Sequence, residues 1–174
     1  AIETTKKSAN ISFSITNGAK MFEKECRVSL PSLFSSENFS GRVGQTITIH
    51  QPTKDIHKAI LVGLGEKNKL TATSYRTCTS SYASILAKSS VKSVDIFLKD
   101  IAIDDFNQLE QAQYCAEKLT HAYYQFTQCK SDKKKSIRPK IHYHTDKSAR
   151  SASLKKSLTT GAAVGKGMNI AREL

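Results

Sequence analysis

The amino-acid sequence predicts a layered α/β fold, and three observations support this prediction. Short runs of β-branched and apolar residues alternate with longer segments whose apolar residues recur every three or four positions. A continuous apolar run at 59–62 is typical of a strand buried on both faces of a sheet. The composition, 39% hydrophobic and 24% charged over 174 residues, is that of an ordinary globular protein. One domain-sized core is therefore expected.

The first half of the chain is expected to supply three strands. Residues 11–15 alternate between apolar and polar, and the Asn17-Gly18 that follows is a turn signal. Residues 20–40 mix aromatic residues with serines and one proline, which favours a short helix flanked by loop. Residues 46–49 alternate with β-branched side chains and predict the second strand, and 59–62 predict a central third strand.

A helix and a further strand follow this central strand. Apolar side chains at three- and four-residue steps predict an amphipathic helix of about 18 residues, with Thr71 as its cap. Residues 94–98 then predict a strand. The order strand, helix, strand predicts a right-handed βαβ crossover between 59–62 and 94–98.

The last third of the chain predicts two helices around one strand. Asp104 or Asp105 is expected to cap a helix whose apolar stripe runs from Phe106 to Phe126. Residues 140–144 predict a strand, and a final helix begins near Ser151. One face of that helix is rich in small residues, so we expect it to pack against something absent from this chain. The face comprises Leu154, Leu158, Gly161, Ala162, Gly165 and Met168.

The formal net charge of +12 is concentrated in one segment. Residues 130–156 contain ten bases and two acids. Clustered lysine and arginine side chains can neutralise phosphates, which makes nucleic acid one candidate partner. A solvated loop is the alternative, because no aromatic residues are interleaved with the bases at 133–135. The candidate contacts are Lys133, Lys134, Lys135, Arg138 and Lys140.

The cysteines and the apolar runs bear on the compartment. The four cysteines show no CxxC spacing, so we expect reduced thiols. No apolar run is long enough to span a bilayer, and the polar first residues lack the apolar stretch of a signal peptide. The cytoplasm is the expected location. The cysteines are Cys26, Cys78, Cys115 and Cys129.

Two motifs raise ligand hypotheses, each with a structural alternative. His142 and His144 are two positions apart, so both side chains of a strand would point to one face and could bind a metal; the alternative is a solvated edge strand. Gly63-Leu64-Gly65 could hold a nucleotide phosphate or form a turn into the next helix. Lys166 is expected to be a solvated helix residue.

Three stretches carry a family resemblance. Residues 41–46 lead from a glycine into a strand. Residues 60–67 form an apolar strand that ends in Gly-x-Gly and a charged pair. Residues 161–174 end in Ala-Arg-Glu-Leu. In this order they resemble the amino-terminal domain of the leucine aminopeptidase family. The last stretch is similar to the helix that leads into that family's catalytic domain, and the continuation usual in the family is absent.

The resemblance implies a three-layer, macro-domain-like α/β fold. Its sheet would be mixed and mostly parallel, with helices on both faces. Residues 1–150 would form the amino-terminal domain, and 151–174 the connecting helix to an absent catalytic domain.

The resemblance also implies a function for the parent protein. That protein would be a two-metal exopeptidase that releases amino-terminal residues from peptides, and a homo-hexamer, with this segment serving assembly and access to the site. The metals (zinc, manganese or magnesium) would bind the absent domain. No catalytic, cofactor-binding or metal-binding residue is expected here. The alternative is a stand-alone macro-like module that binds nucleotide or nucleic acid.

Overall fold

The computed structural model describes residues 2–7, 10–99, 101–125, 138–145 and 151–173. In this part of the chain, strands and helices alternate over most of the length. The strands are β1 Ile2–Lys7, β2 Asn10–Ile15, β3 Thr46–His50, β4 Lys58–Glu66, β5 Ser93–Phe97 and β6 Lys140–His144. The α-helices are α1 Asn17–Cys26, α2 Leu30–Ser36, α3 Ala72–Ala87, α4 Gln108–Ala122 and α5 Ser151–Ile170, and a 3₁₀ turn spans Lys67–Lys69.

The chain divides into two compact units. The first unit comprises Ala1–Tyr82 and Lys99–Asn107. The second unit comprises Ala83–Leu98 and Gln108–Leu174. Each unit contains its own sheet and is described by itself, and α3 is divided between the two units at Tyr82.

The first unit contains a four-stranded sheet in the order β2-β1-β4-β3. β1 pairs with β4 in parallel, whereas β1–β2 and β3–β4 are antiparallel. β4 has a neighbour on each side, as the apolar run at 59–62 predicted. A mostly parallel sheet is not confirmed in this unit, since two of its three described pairings are antiparallel. The physical reason is that β3 and β4 are consecutive strands with a short connection, which favours a hairpin.

The core of the first unit centres on three phenylalanines. The Phe34 ring lies 4.8 Å from the Phe13 ring and 5.1 Å from the Phe39 ring. The prediction of a single short helix at 20–40 was wrong, because α1 and α2 both lie in this region. Arg27 ends α1 with a left-handed φ of 53°, and a proline in the first turn of α2 starts the next helix.

α3 begins at the predicted cap. The backbone N–H of Ser74 donates to Thr71 Oγ1 at 3.2 Å, which satisfies one of the free amides of the first turn. Thr79 is fully buried, and its hydroxyl donates to the Tyr75 carbonyl one turn earlier at 2.9 Å. The hydroxyls of Thr77, Ser80 and Ser81 make the same bond to the carbonyls four residues before them.

The second unit contains the parallel pair β5–β6, with Val94 opposite Ile141. The predicted crossover between 59–62 and 94–98 was wrong in its pairing, because β4 and β5 belong to different sheets and α4 joins the parallel strands instead. α4 also begins later than Asp104 or Asp105, since Asp105 has a φ of 58° and cannot continue a helix. Among the described residues, no helix is long and apolar enough to cross a membrane.

Candidate functional site

Gly63-Leu64-Gly65 lies inside β4, so the predicted turn was wrong. The amide of Gly63 donates to the Gln45 carbonyl at 2.8 Å, and that of Gly65 donates to the Gly41 carbonyl at 2.9 Å. A phosphate cradle needs amides that point at the ligand. These amides bond to the protein instead, so the phosphate hypothesis is not supported here.

The two glycines are needed because the preceding loop lies directly against β4. A Cβ on Gly63 would collide with the Arg42 carbonyl oxygen. Gly65 has a φ of +85°, and a Cβ there would lie 2.6 Å from Val43 Cγ2. The β1–β4 register shifts at this point, because Ile2 faces Gly63 and the next residue of β1 faces Gly65. The motif is therefore a bulged strand under close backbone contact.

The Cys78 thiol lies beneath the same strand. It donates to the Gly63 carbonyl at 3.1 Å and is 3% exposed. Burial raises the pKa of the Cys78 thiol, so the thiolate required of a nucleophile is disfavoured. None of Cys26, Cys78 and Cys115 forms a disulfide bond within the described residues. Cys129 lies outside the described residues.

α5 packs its small-residue face against α4. A Cβ on Gly161 would collide with the Gln113 carbonyl oxygen, and one on Gly165 would lie 2.6 Å from the Glu117 carbonyl oxygen. We expected this face to pack on something absent from the chain. That expectation was wrong, because the helix that lies against Gly161 and Gly165 is α4.

Polar side chains hold the carboxyl ends of α4 and α5 together. Asn169 is 6% exposed, and its Oδ1 lies 2.8 Å from His121 Nδ1. Because an amide oxygen can only accept, His121 donates in this contact. Asn169 Nδ2 donates to the Thr120 carbonyl at 3.3 Å, and the Tyr124 hydroxyl donates to Glu173 Oε1 at 3.1 Å. The helix pair is thus fixed by shape along its length and by hydrogen bonds at its end.

Three apolar side chains of α5 remain exposed. Val164, Met168 and Ile170 are 42%, 39% and 59% exposed. A Cβ on Gly167 would meet no atom within 4 Å. Lys166 is exposed, as predicted. Val164 and Met168 are four positions apart and share one side of the helix, whereas Ile170 points well away from them. Val164 and Met168 therefore form a small exposed apolar pair.

The two histidines of β6 lie on one exposed face, as predicted. His144 Nε2 is 2.8 Å from Asp95 Oδ1, and its ring stacks on Phe97 with centroids 4.5 Å apart. Within the described ranges, no group of three or more His, Cys, Asp and Glu side chains is arranged to hold a metal. The metal hypothesis for His142 and His144 is therefore not supported by the described residues.

The structure covers only part of the basic segment. Arg138 and Lys140 are exposed at the start of β6. Lys133, Lys134 and Lys135 lie outside the described residues, so their predicted role in nucleic-acid contact stays a prediction.

The first unit also contains a polar cleft of about 540 Å³. Sequence analysis missed this cleft, because its lining comes from three separate stretches that only the fold brings together. Lys67 and Asp104 supply charges of opposite sign at its wall. The other lining residues are Ser14, Ile15, Thr16, Asn17, Asn68, Leu70 and Ala102.

Comparison with known proteins identifies the family. The profile of the cytosol aminopeptidase family, N-terminal domain, matches residues 14–133. The chain therefore belongs to this family, as the sequence motifs predicted. The probable cytosol aminopeptidase of Blochmanniella floridana is 27% identical over 150 residues, which cover 83% of this chain and 30% of that protein. That of Nitrosomonas eutropha is 23% identical over 164 residues, covering 92% and 33%.

Solved structures show the same fold. A tomato leucine aminopeptidase mutant aligns with a TM-score of 0.71 at 20% identity, over 90% of this chain and 30% of that one. The bottromycin maturation enzyme BotP in complex with Mn aligns with a TM-score of 0.60 at 18% identity, over 84% and 29%. The chain thus spans about a third of the length of the curated relatives it matches.

Proposed function

We propose that this chain is the non-catalytic amino-terminal domain of a leucine aminopeptidase, an exopeptidase that releases amino-terminal residues from peptides with the help of two divalent metal ions. The observation that carries the proposal is the family match over 14–133. The relatives are about three times longer than the matched part, which leaves room for a separate catalytic domain. The described residues offer no metal-ligand group, so zinc, manganese or magnesium would bind that domain.

In this proposal the chain serves assembly and access to the site. The side of α5 that carries Val164 and Met168 is the surface that the chain's own catalytic domain would cover, since both side chains are apolar and exposed. Residues 1–150 would form the macro-like, three-layer domain and 151–174 the connecting helix. The parent protein would be a cytoplasmic homo-hexamer that binds peptide substrates.

Hydrolysis of a leucine amide tests the catalytic part of the proposal. The chain alone is compared with a protein that carries a family catalytic domain after residue 174, each with manganese or zinc added. We expect turnover only in the extended protein. Turnover by the 174-residue chain would contradict the non-catalytic role.

A second measurement tests the role of α5. In the extended protein, Met168→Lys places a charge in the proposed contact between α5 and the catalytic domain, and we expect limited proteolysis to cleave the junction between the two domains faster. Lys155→Ala changes an exposed residue on the opposite side of the same helix from Val164 and is the control. Equal cleavage rates in both variants would remove α5 from the domain contact.

The alternative of a stand-alone macro-like module remains in one form. Binding of a nucleotide loses support, since the Gly63 and Gly65 amides are bonded within the protein. Binding of nucleic acid has a candidate surface on β5 and β6.

A further inference from the structure

The outward face of β5 and β6 combines aromatic rings with basic side chains. Exposure alternates along both strands, so every second residue points outward. The opposite side of the pair is more buried, with Ile96 at 8% exposure. The outward face comprises Ser93, Asp95, Phe97, Lys140, His142 and His144.

Two rings of this face form a flat stack that is open to solvent. The Phe97 side chain is 44% exposed, although phenylalanine is usually buried. Its ring and the His144 ring are 4.5 Å apart and inclined by only 13°. His144 is also held by Asp95, which fixes the imidazole in place. The stack is therefore present before any partner arrives.

Two basic side chains lie at one end of the same face. The register places Lys140 opposite Ser93. Arg138 is exposed two residues earlier, which puts it on the same side of the extended chain as Lys140. The carboxylate described on this face, Asp95, is bound to His144.

We propose that this face binds single-stranded nucleic acid. Unstacked bases would lie on the Phe97–His144 stack, and phosphates would contact Arg138 and Lys140. A single strand exposes the flat faces of its bases, whereas a duplex hides them, so an open aromatic stack beside basic residues fits a single strand. Along β6, Lys140 and His144 are about 13 Å apart, which accommodates two or three bases. This proposal does not depend on the proposed function.

Fluorescence anisotropy of the 174-residue chain tests the base contact. The probes are labelled oligothymidine and oligouridine of about 12 nucleotides and a mixed-sequence duplex of the same length. We expect single strands to bind about tenfold more tightly than the duplex, and Phe97→Ala to weaken them about tenfold, as for the loss of one stacked base. Phe97→Tyr keeps the ring and should restore binding. Circular dichroism checks that each variant folds.

The salt dependence of the same titration tests the phosphate contacts. The double variant Arg138→Ser and Lys140→Ser should reduce the slope of log K against log salt by about 1.4, because each neutralised phosphate of a single strand contributes about 0.7. Lys20→Ser and Lys24→Ser remove the same charge from exposed positions of α1, and should leave the slope unchanged.

Three outcomes would overturn the proposal. The first is an absence of single-strand binding at low salt. The second is equal affinity for duplex and single strand with Phe97→Ala unchanged, which would mean charge attraction alone. The third is complete competition by an acidic peptide at equal charge, which would assign the face to acidic proteins.

Discussion

Each unit contains a glycine pressed against a carbonyl oxygen of another segment, and the two contacts are held differently. Gly63 lies against the Arg42 carbonyl, and its own amide and carbonyl both bond to the preceding loop. Gly161 lies against the Gln113 carbonyl between two helices, whose amides already bond within their own helix. The strand contact thus combines shape with hydrogen bonds, and the helix contact depends on shape over most of its length. We therefore expect the helix contact to be the more sensitive to added volume.

The largest expected effect is that of Gly161→Ala. The added methyl would overlap the Gln113 carbonyl oxygen, so the helices must separate along their length, and we expect a loss of about 3 kcal/mol of unfolding free energy in urea. Gly167→Ala is the matched control in the same helix. Its methyl meets no atom within 4 Å, so it should stabilise by about 0.5 to 1 kcal/mol. Equal effects of the two substitutions would show that α5 does not pack on α4 through Gly161.

Gly63→Ala should have a smaller effect, of about 2 kcal/mol. The overlapping atom is again a carbonyl oxygen, that of Arg42, but it belongs to a short loop instead of a helix packed along its length. Urea unfolding measures the loss against the same Gly167→Ala reference. A loss as large as that of Gly161→Ala would mean that the loop is as rigid as a helix, and would remove the distinction between the two contacts.

Asn169→Ala should cost about 1 to 2 kcal/mol, since a buried amide loses its bonds to His121 and to the Thr120 carbonyl. Glu173→Ala removes the exposed bond to Tyr124 and should change stability by less than about 0.5 kcal/mol. Both are measured by urea unfolding. If the two variants lost the same free energy of unfolding, the contribution of these hydrogen bonds to stability would not depend on their burial.

The smallest effect concerns pH and the thiol under β4. Burial raises the pKa of Cys78 above that of the unfolded chain, so its contribution to stability is complete below the ordinary thiol pKa and is lost as the pH rises. The free energy of unfolding should fall between about pH 8 and pH 10, and should fall less in Cys78→Ala. Part of the fall should persist, because burial also raises the pKa of Tyr123. An identical pH profile in the variant would contradict the assignment to Cys78.

Elements with a strong local pattern were predictable from sequence. The strands at 46–49, 94–98 and 140–144 and the cap at Thr71 were found as predicted, because alternation and capping depend on neighbouring residues. The structure around the glycines was not predictable, since a glycine before a turn and a glycine under a close backbone contact look alike in sequence. Gly63-Leu64-Gly65 lies under a close backbone contact, and the Asn17-Gly18 pair begins α1 instead of a turn.

The candidate surfaces were only half predictable. Strand alternation placed His142 and His144 on one face, but Asp95 and Phe97 joined them only through the pairing of β5 with β6. The small residues of α5 predicted a closely packed neighbour, but they did not identify it as α4. Pairing and packing between distant segments depend on the whole fold, and no local pattern encodes them.

The buried hydroxyl of Thr79 places little constraint on the residues around it. A polar atom in a core normally requires a neighbouring residue to supply a matching group. Thr79 instead bonds to the carbonyl of Tyr75 in its own helix. Substitutions of the residues packed around it therefore need only to fill the same volume, without supplying a hydrogen-bond partner.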